Sequence, residues 1–202
     1  MTGVPPLTSD FFIWEAERNP SACLLDRLPD DDHAMFRPRI GRAMGGDYPE
    51  AREFPMSPDL GGTDLPDLVR NTLGFYVVSE RLRDALEHHA GAEFEMLPIH
   101  VLDRRGKRVP KPYWIANLLG RSVACADLPR CEMTELAMRK GRYTSMKRLH
   151  VDSKRIDPSF RILRLDEMPK LFLVRDDLRR ALDASGATGM RFSAMGDPVL
   201  ID

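Results

Sequence analysis

The chain writes one local pattern twice. Phe75-Tyr76-Val77-Val78-Ser79-Glu80-Arg81-Leu82-Arg83-Asp84-Ala85-Leu86, closed by Gly91-Ala92-Glu93-Phe94, returns as Leu171-Phe172-Leu173-Val174-Arg175-Asp176-Asp177-Leu178-Arg179-Arg180-Ala181-Leu182, closed by Gly189-Met190-Arg191-Phe192. Leu82, Arg83, Ala85 and Leu86 recur as Leu178, Arg179, Ala181 and Leu182 at a single offset of 96. Each copy opens on a short apolar, β-favouring run and continues with Leu and Ala on one helical face. It then stops at glycine and resumes as a strand. Ser79 is the expected cap of the first helix and Asp176 of the second. A helix of about eleven residues is too short to persist alone, so each must lay its Leu/Ala face on a sheet.

Around the two copies the pattern is mostly extended. Phe11-Phe12-Ile13-Trp14 predicts a short buried strand, whereas Asn19 to Pro66 is dense in Pro, Gly and Asp. Asp64 to Arg70 suits a single helical turn with Asp64 as cap. Arg104-Arg105-Gly106-Lys107 predicts a hairpin turn, and Tyr113–Leu119, Val123–Leu128 and Phe160–Leu165 predict strands. Residues 130–148 leave two readings open: a short helix around Leu136 and Met138, and a strand from Tyr143 to Leu149. The fold class expected is α+β, a mixed twisted sheet with few short helices containing two similar strand–helix–strand units. Residues 1–63 are expected to form a loop-rich segment packed on the same domain, and residues 64–202 the α+β domain proper.

Hydrophobic residues at 43% and charged residues at 30% are ordinary for a soluble globular chain. No apolar run approaches the ~20 residues of a membrane span, and no secretory leader is visible. Three cysteines without framework spacing, Cys23, Cys125 and Cys131, suit a reducing compartment, so the cytoplasm is expected. The net charge of −1 is unevenly spread: residues 1–100 hold 9 Lys+Arg against 18 Asp+Glu, and residues 101–202 hold 21 against 13.

No pattern for chemistry emerges. Adjacent residues His88 and His89 diverge by about 100° on a helix and cannot chelate together. The chain has no His-Glu-x-x-His, no Cys-x-x-Cys and no Gly-x-Ser-x-Gly. Gly41-Arg42-Ala43-Met44-Gly45-Gly46 lacks the Gly-Lys-Ser/Thr ending of a phosphate loop. Hence no catalytic, cofactor-binding or metal-binding residue is assigned. The densest acidic cluster, Asp30-Asp31-Asp32 beside His33, is solvated loop or a contact for a basic partner. Between Arg139 and Arg164 nine basic residues, with Tyr143 and Phe160 interleaved, raise the alternative of nucleic-acid binding. A small hydrolase or transferase using Asp and His from the N-terminal loops is the other alternative.

One resemblance bears on these choices. Asp64-Leu65-Pro66-Asp67, Phe75 through Leu82, and Glu93-Phe94-Glu95-Met96-Leu97-Pro98 follow in order, succeeded by Tyr113-Trp114-Ile115-Ala116-Asn117 and Ala124-Cys125-Ala126-Asp127-Leu128. Phe160-Arg161 and Gly189-Met190-Arg191-Phe192 complete the series. The string resembles the eleventh immunity-protein family of bacterial polymorphic toxin systems over residues 64–195. It departs at Arg130-Cys131-Glu132, where the family pattern has a serine-containing acidic tripeptide. The resemblance implies a cytoplasmic, non-enzymatic antidote that binds and neutralises a cognate toxin. It carries no catalytic residue across. On local charge density, Asp30, Asp31 and Asp32 are the candidate partner-binding residues.

Overall fold

The repeat becomes the same backbone unit built twice. The computed structural model describes residues 11–27, 35–48, 52–199 and 201. Along them run β1 (Phe11–Ala16), β2 (Cys23–Leu25), α1 (Phe36–Arg39), β3 (Arg52–Gly61), β4 (Leu68–Asn71) and β5 (Val77–Ser79). Next come α2 (Glu80–His89), β6 (Phe94–Leu102), β7 (Tyr113–Leu118), β8 (Ser122–Val123), β9 (Glu132–Glu135) and β10 (Tyr143–Arg148). The series ends with β11 (Ile162–Leu165), β12 (Phe172–Arg175), α3 (Asp176–Ala184) and β13 (Met190–Ala194).

Six strands close into a barrel in the order β2-β3-β6-β7-β5-β4. Five others form an open sheet, β13-β1-β12-β11-β8, and β9 and β10 pair alone. Within these, β6-β7-β5-β4 with α2 matches β13-β1-β12-β11 with α3. The registers agree residue for residue. Val78 lies opposite Trp114 and Leu68, and its counterpart Val174 lies opposite Phe12 and Ile162. Met96 lies opposite Ala116, and its counterpart Phe192 opposite Trp14. Arg83 on α2 stacks over Trp114 at 4.2 Å, as Arg179 on α3 stacks over Phe12 at 4.8 Å. Only the chain order differs, since β7 follows β6 directly whereas β1 enters the second unit from the start of the chain.

Strand alternation explains how the units share a core. Val77 and Ile115 point into the barrel, while Val78 and Ala116 face the helices. Leu173 and Ile13 face the far side of the open sheet, while Val174, Phe172 and Trp14 face inward. Leu82, Leu86, Leu178 and Leu182 from the touching helices α2 and α3 join that inner cluster. At its centre the matched residues Tyr76 and Phe172 stack at 3.9 Å with rings 1° from parallel, and Trp14 lies 5.0 Å from Tyr76. The Tyr76 hydroxyl donates to the Trp14 carbonyl at 2.7 Å and accepts from the Phe172 N–H at 2.9 Å.

The α+β class with its two strand–helix–strand units is therefore correct, and the closed barrel is added to it. Three local expectations change. Asp64 to Arg70 is no helical turn, because Leu68 and Val69 are buried in different clusters on opposite strand faces. Asp176 does not cap α3: its carboxylate accepts from Arg179 and Arg180, and Arg175 occupies the cap position. Of Val123–Leu128 only Val123 joins a strand. Beyond it the backbone turns to the 150–152 segment, with Asp127 donating to the His150 carbonyl and Asp152 to that of Cys125. In residues 130–148 the strand forms and the helix does not, since Leu136 and Met138 lie at the turn between β9 and β10.

Candidate functional site

Two features stand apart from the duplicated scaffold. The first is the arm formed by β9 and β10, inserted between β8 and β11. Met146 at its root is fully buried and exchanges backbone hydrogen bonds of 2.8 and 3.0 Å with Ile201. The Arg148 guanidinium meets Glu132 across the strands at 3.0 Å. The tip is held in shape by its own backbone: Leu136 donates to Arg142 at 2.7 Å and Arg139 to Leu136 at 3.0 Å. Gly141 adopts φ +76°, and its N–H donates to the Glu135 carboxylate at 2.7 Å. On this fixed turn Met138 is 93% exposed and Leu136 37%. With Leu128 at the arm's base, the arm supplies three of the five exposed large hydrophobic residues among those described; Phe36 and Leu60 are the others.

The second feature is a groove of about 560 Å³ at the seam between barrel and open sheet. Arg39 and Arg70 line it from the barrel side, Arg18 and Lys170 from the sheet side, and Glu15 is its one carboxylate. Burial raises the Glu15 carboxyl above its ordinary range against the pull of Arg191 and Arg18. Burial likewise lowers Arg39, whose guanidinium lies over the Phe75 ring at 5.2 Å. Lys170 donates to the Thr144 carbonyl of β10 at 3.1 Å, and Ile201 lines the same wall, so the groove opens at the root of the arm.

Two further polar nodes hold the halves together. Asp67 accepts from Ser79 Oγ at 2.6 Å, Lys111 Nζ at 3.1 Å and the Thr188 N–H at 2.9 Å. Burial works to raise its carboxyl, but these hydrogen bonds outweigh it and hold it at about 2. Arg164, only 2% exposed, donates to the carbonyls of Arg39 at 2.9 Å, Pro38 at 3.3 Å and Pro169, and lies over the Phe172 ring at 4.6 Å. Burial pulls it down to about 10, and carbonyl oxygens at the end of α1 take the place of a carboxylate.

The residues singled out in the sequence are not brought together. Asp30, Asp31 and Asp32 lie outside the described residues. His88 and His89 sit edge to face at 4.6 Å at the end of α2. Burial pushes Cys23 up to about 11 and Cys125 to about 12, and raises Cys131 as well, which favours the protonated thiol in each. Among the described residues no three His, Cys, Asp or Glu side chains converge as metal ligands. The basic segment disperses: Arg142, Arg148, Arg155 and Arg161 form ion pairs with Asp166, Glu132, Asp152 and Asp177, and Arg164 is buried. The seam groove went unseen in the sequence because its four cations come from four distant positions with no local signature.

The described residues thus assemble a duplicated α+β scaffold with one projecting arm and one cationic groove. A family model, the Immunity protein family (Imm11), matches residues 14–197, and the chain belongs to that family. The match begins at Trp14, so it takes in the second half of the strand that completes the second unit, which the resemblance over 64–195 left out. A search of curated proteins found no match. An immunity function against toxins is what membership of this family denotes. Among the described residues no helix is long and apolar enough to cross a membrane.

Proposed function

We propose that this protein neutralises a cognate toxin by direct, non-enzymatic, stoichiometric binding in the bacterial cytoplasm, with the β9–β10 arm as the anchor. The observation that carries the proposal is Met138, 93% exposed on a turn whose backbone is pinned by hydrogen bonds. Leu136 and Met138 are exposed together on one turn with a fixed backbone, and preorganised apolar tips are what interfaces use as anchors. Binding needs no new chemistry from the scaffold, only display on a rigid frame. Asp30, Asp31 and Asp32 add a second contact in this scheme, opposing a basic surface of the toxin and speeding encounter.

Co-expression with the toxin encoded beside it, followed by co-purification, tests the proposal. Wild-type protein is expected to restore growth and to form a complex burying on the order of 1,600 Å². Leu136→Asp with Met138→Asp is expected to weaken that complex by about 2–4 kcal/mol while leaving the thermal melt unchanged, since both side chains are exposed. Full protection without a detectable complex removes the binding mechanism. Tight binding by the double variant removes the arm from it.

A further inference from the structure

The groove at the root of the arm carries more positive than negative side chains. Four cations gather around one carboxylate, and that carboxylate is itself shifted by burial toward its neutral form. Elsewhere the terminal nitrogens of Arg164 donate to three carbonyls, although its Nε lacks an acceptor, and Arg161 and Arg175 pair with Asp177. Arg39 and Arg70 differ. Among the described residues neither forms an ion pair, and Arg39 Nε is buried with no acceptor. The indole N–H of Trp14, another wall residue, is also buried without an acceptor. Crowded cations in a recess raise one another's energy and focus a positive potential outward. The ligand that relieves this is an anion that also fills apolar space, for Leu68, Phe75 and Leu171 line the recess between the charges. A volume of about 560 Å³ admits something the size of a few residues.

Position selects among anions. Lys170 bonds to β10, and Ile201 both pairs with Met146 and lines the groove, so arm and groove form one continuous surface. We infer that the seam groove receives an acidic segment, Asp or Glu carboxylates beside an apolar side chain, of the same toxin that the arm engages. This inference rests on the toxin-binding proposal and adds to it the charge of the partner's contacting segment.

The experiment uses the full chain with Arg70→Gln and with Arg18→Glu plus Arg70→Glu. Arg39 is left in place because it packs on Phe75. Two ligands are titrated at 50 and 300 mM NaCl: the toxin, and an acetylated hexaglutamate peptide as a probe independent of it. Arg70→Gln is expected to weaken toxin binding by about threefold to tenfold, and the double reversal by more than about tenfold, both with a flatter salt dependence. A melting temperature at or above wild type is expected for Arg70→Gln, because Arg70 forms no ion pair among the described residues; the double variant also gives up the attraction of Arg18 for Glu15, so its own melt separates lost recognition from lost folding. Unchanged toxin affinity and salt dependence in the double variant overturn the inference and leave the toxin-binding proposal standing. If the wild-type protein binds no toxin, that proposal fails and the peptide decides the groove. Arg70-dependent binding of hexaglutamate keeps it as an acidic-peptide site, and no binding removes it.

Discussion

In the barrel, the unit of β4, β5, α2, β6 and β7 is closed by β2 and β3, which bring Phe54 and Met56 against Val77 and Ile115. In the open sheet, the matching unit of β11, β12, α3 and β13 is finished by β1, and its outer face is covered by Cys125, Met146, Leu149 and Val151. The inner faces of the two units match position by position, down to the Arg83 and Arg179 stacks. Their outer faces share little beyond being apolar. The difference teaches where specificity can reside. The inner faces must fit each other, so they are constrained throughout, whereas the added pieces are constrained where they pack on a sheet and free on the side turned to solvent. The projecting arm belongs to the cover of the open sheet and, among the described residues, has no counterpart on the barrel.

Truncating the side chain that the two units share most fully should break the pairing most severely. Trp14 is fully buried against Tyr76, Phe172 and Phe192, whereas the matching barrel position holds only Ala116. Trp14→Ala is expected to cost about 3–5 kcal/mol, read from urea unfolding midpoints. The milder truncation Ile115→Val, inside the barrel, should cost no more than about 1.5 kcal/mol by the same measurement.

Asp67 sharpens the comparison electrostatically, since the matching place in the second unit holds Arg161, bound to Asp177 and to the His89 carbonyl. Asp67→Asn should remove about 2–3 kcal/mol at neutral pH. The carboxyl is held at about 2 in the folded chain, below its ordinary 3.8. Its stabilisation is therefore fully present above pH 4 and disappears as pH falls toward 2. The difference in midpoint between wild type and Asp67→Asn should shrink across that window, and a constant difference would refute the assignment.

A smaller effect than that of Asp67→Asn is expected from Tyr76→Phe, which makes the first unit match the second at the stacked pair. It keeps the ring but leaves the Phe172 N–H and Trp14 carbonyl without their shared hydroxyl. A loss of about 1–2 kcal/mol is expected, with amide exchange at Phe172 accelerated to match.

The duplicated unit was legible because its information is local: Ser79 as cap, Leu82 and Leu86 on one face, and Gly91 with φ +57° at the stop. The barrel was not, because its closure joins Arg52–Pro55 to Ile99–Leu102, strands whose partnership no short pattern encodes. Asp64 to Arg70 misled for a related reason. Asp64 with Pro66 two residues on looks like a helix start until Ala22 bridges to Asp64 and Leu68 and Val69 pair with Val78 and Val77. The candidate site was least visible of all. Leu136 and Met138 suit a short helix as well as a turn, and only the pairing of β9 with β10 makes them an exposed tip.

The strand that completes the second unit leaves the ribosome well ahead of its partners, for Phe11 finds its place only opposite Arg175. At typical elongation rates that delay is roughly 10–30 s. Throughout it, Phe-Phe-Ile-Trp has no sheet to join and needs shelter from nascent-chain aggregation. A chain broken off before Phe172 leaves β1 without either of the strands it pairs with.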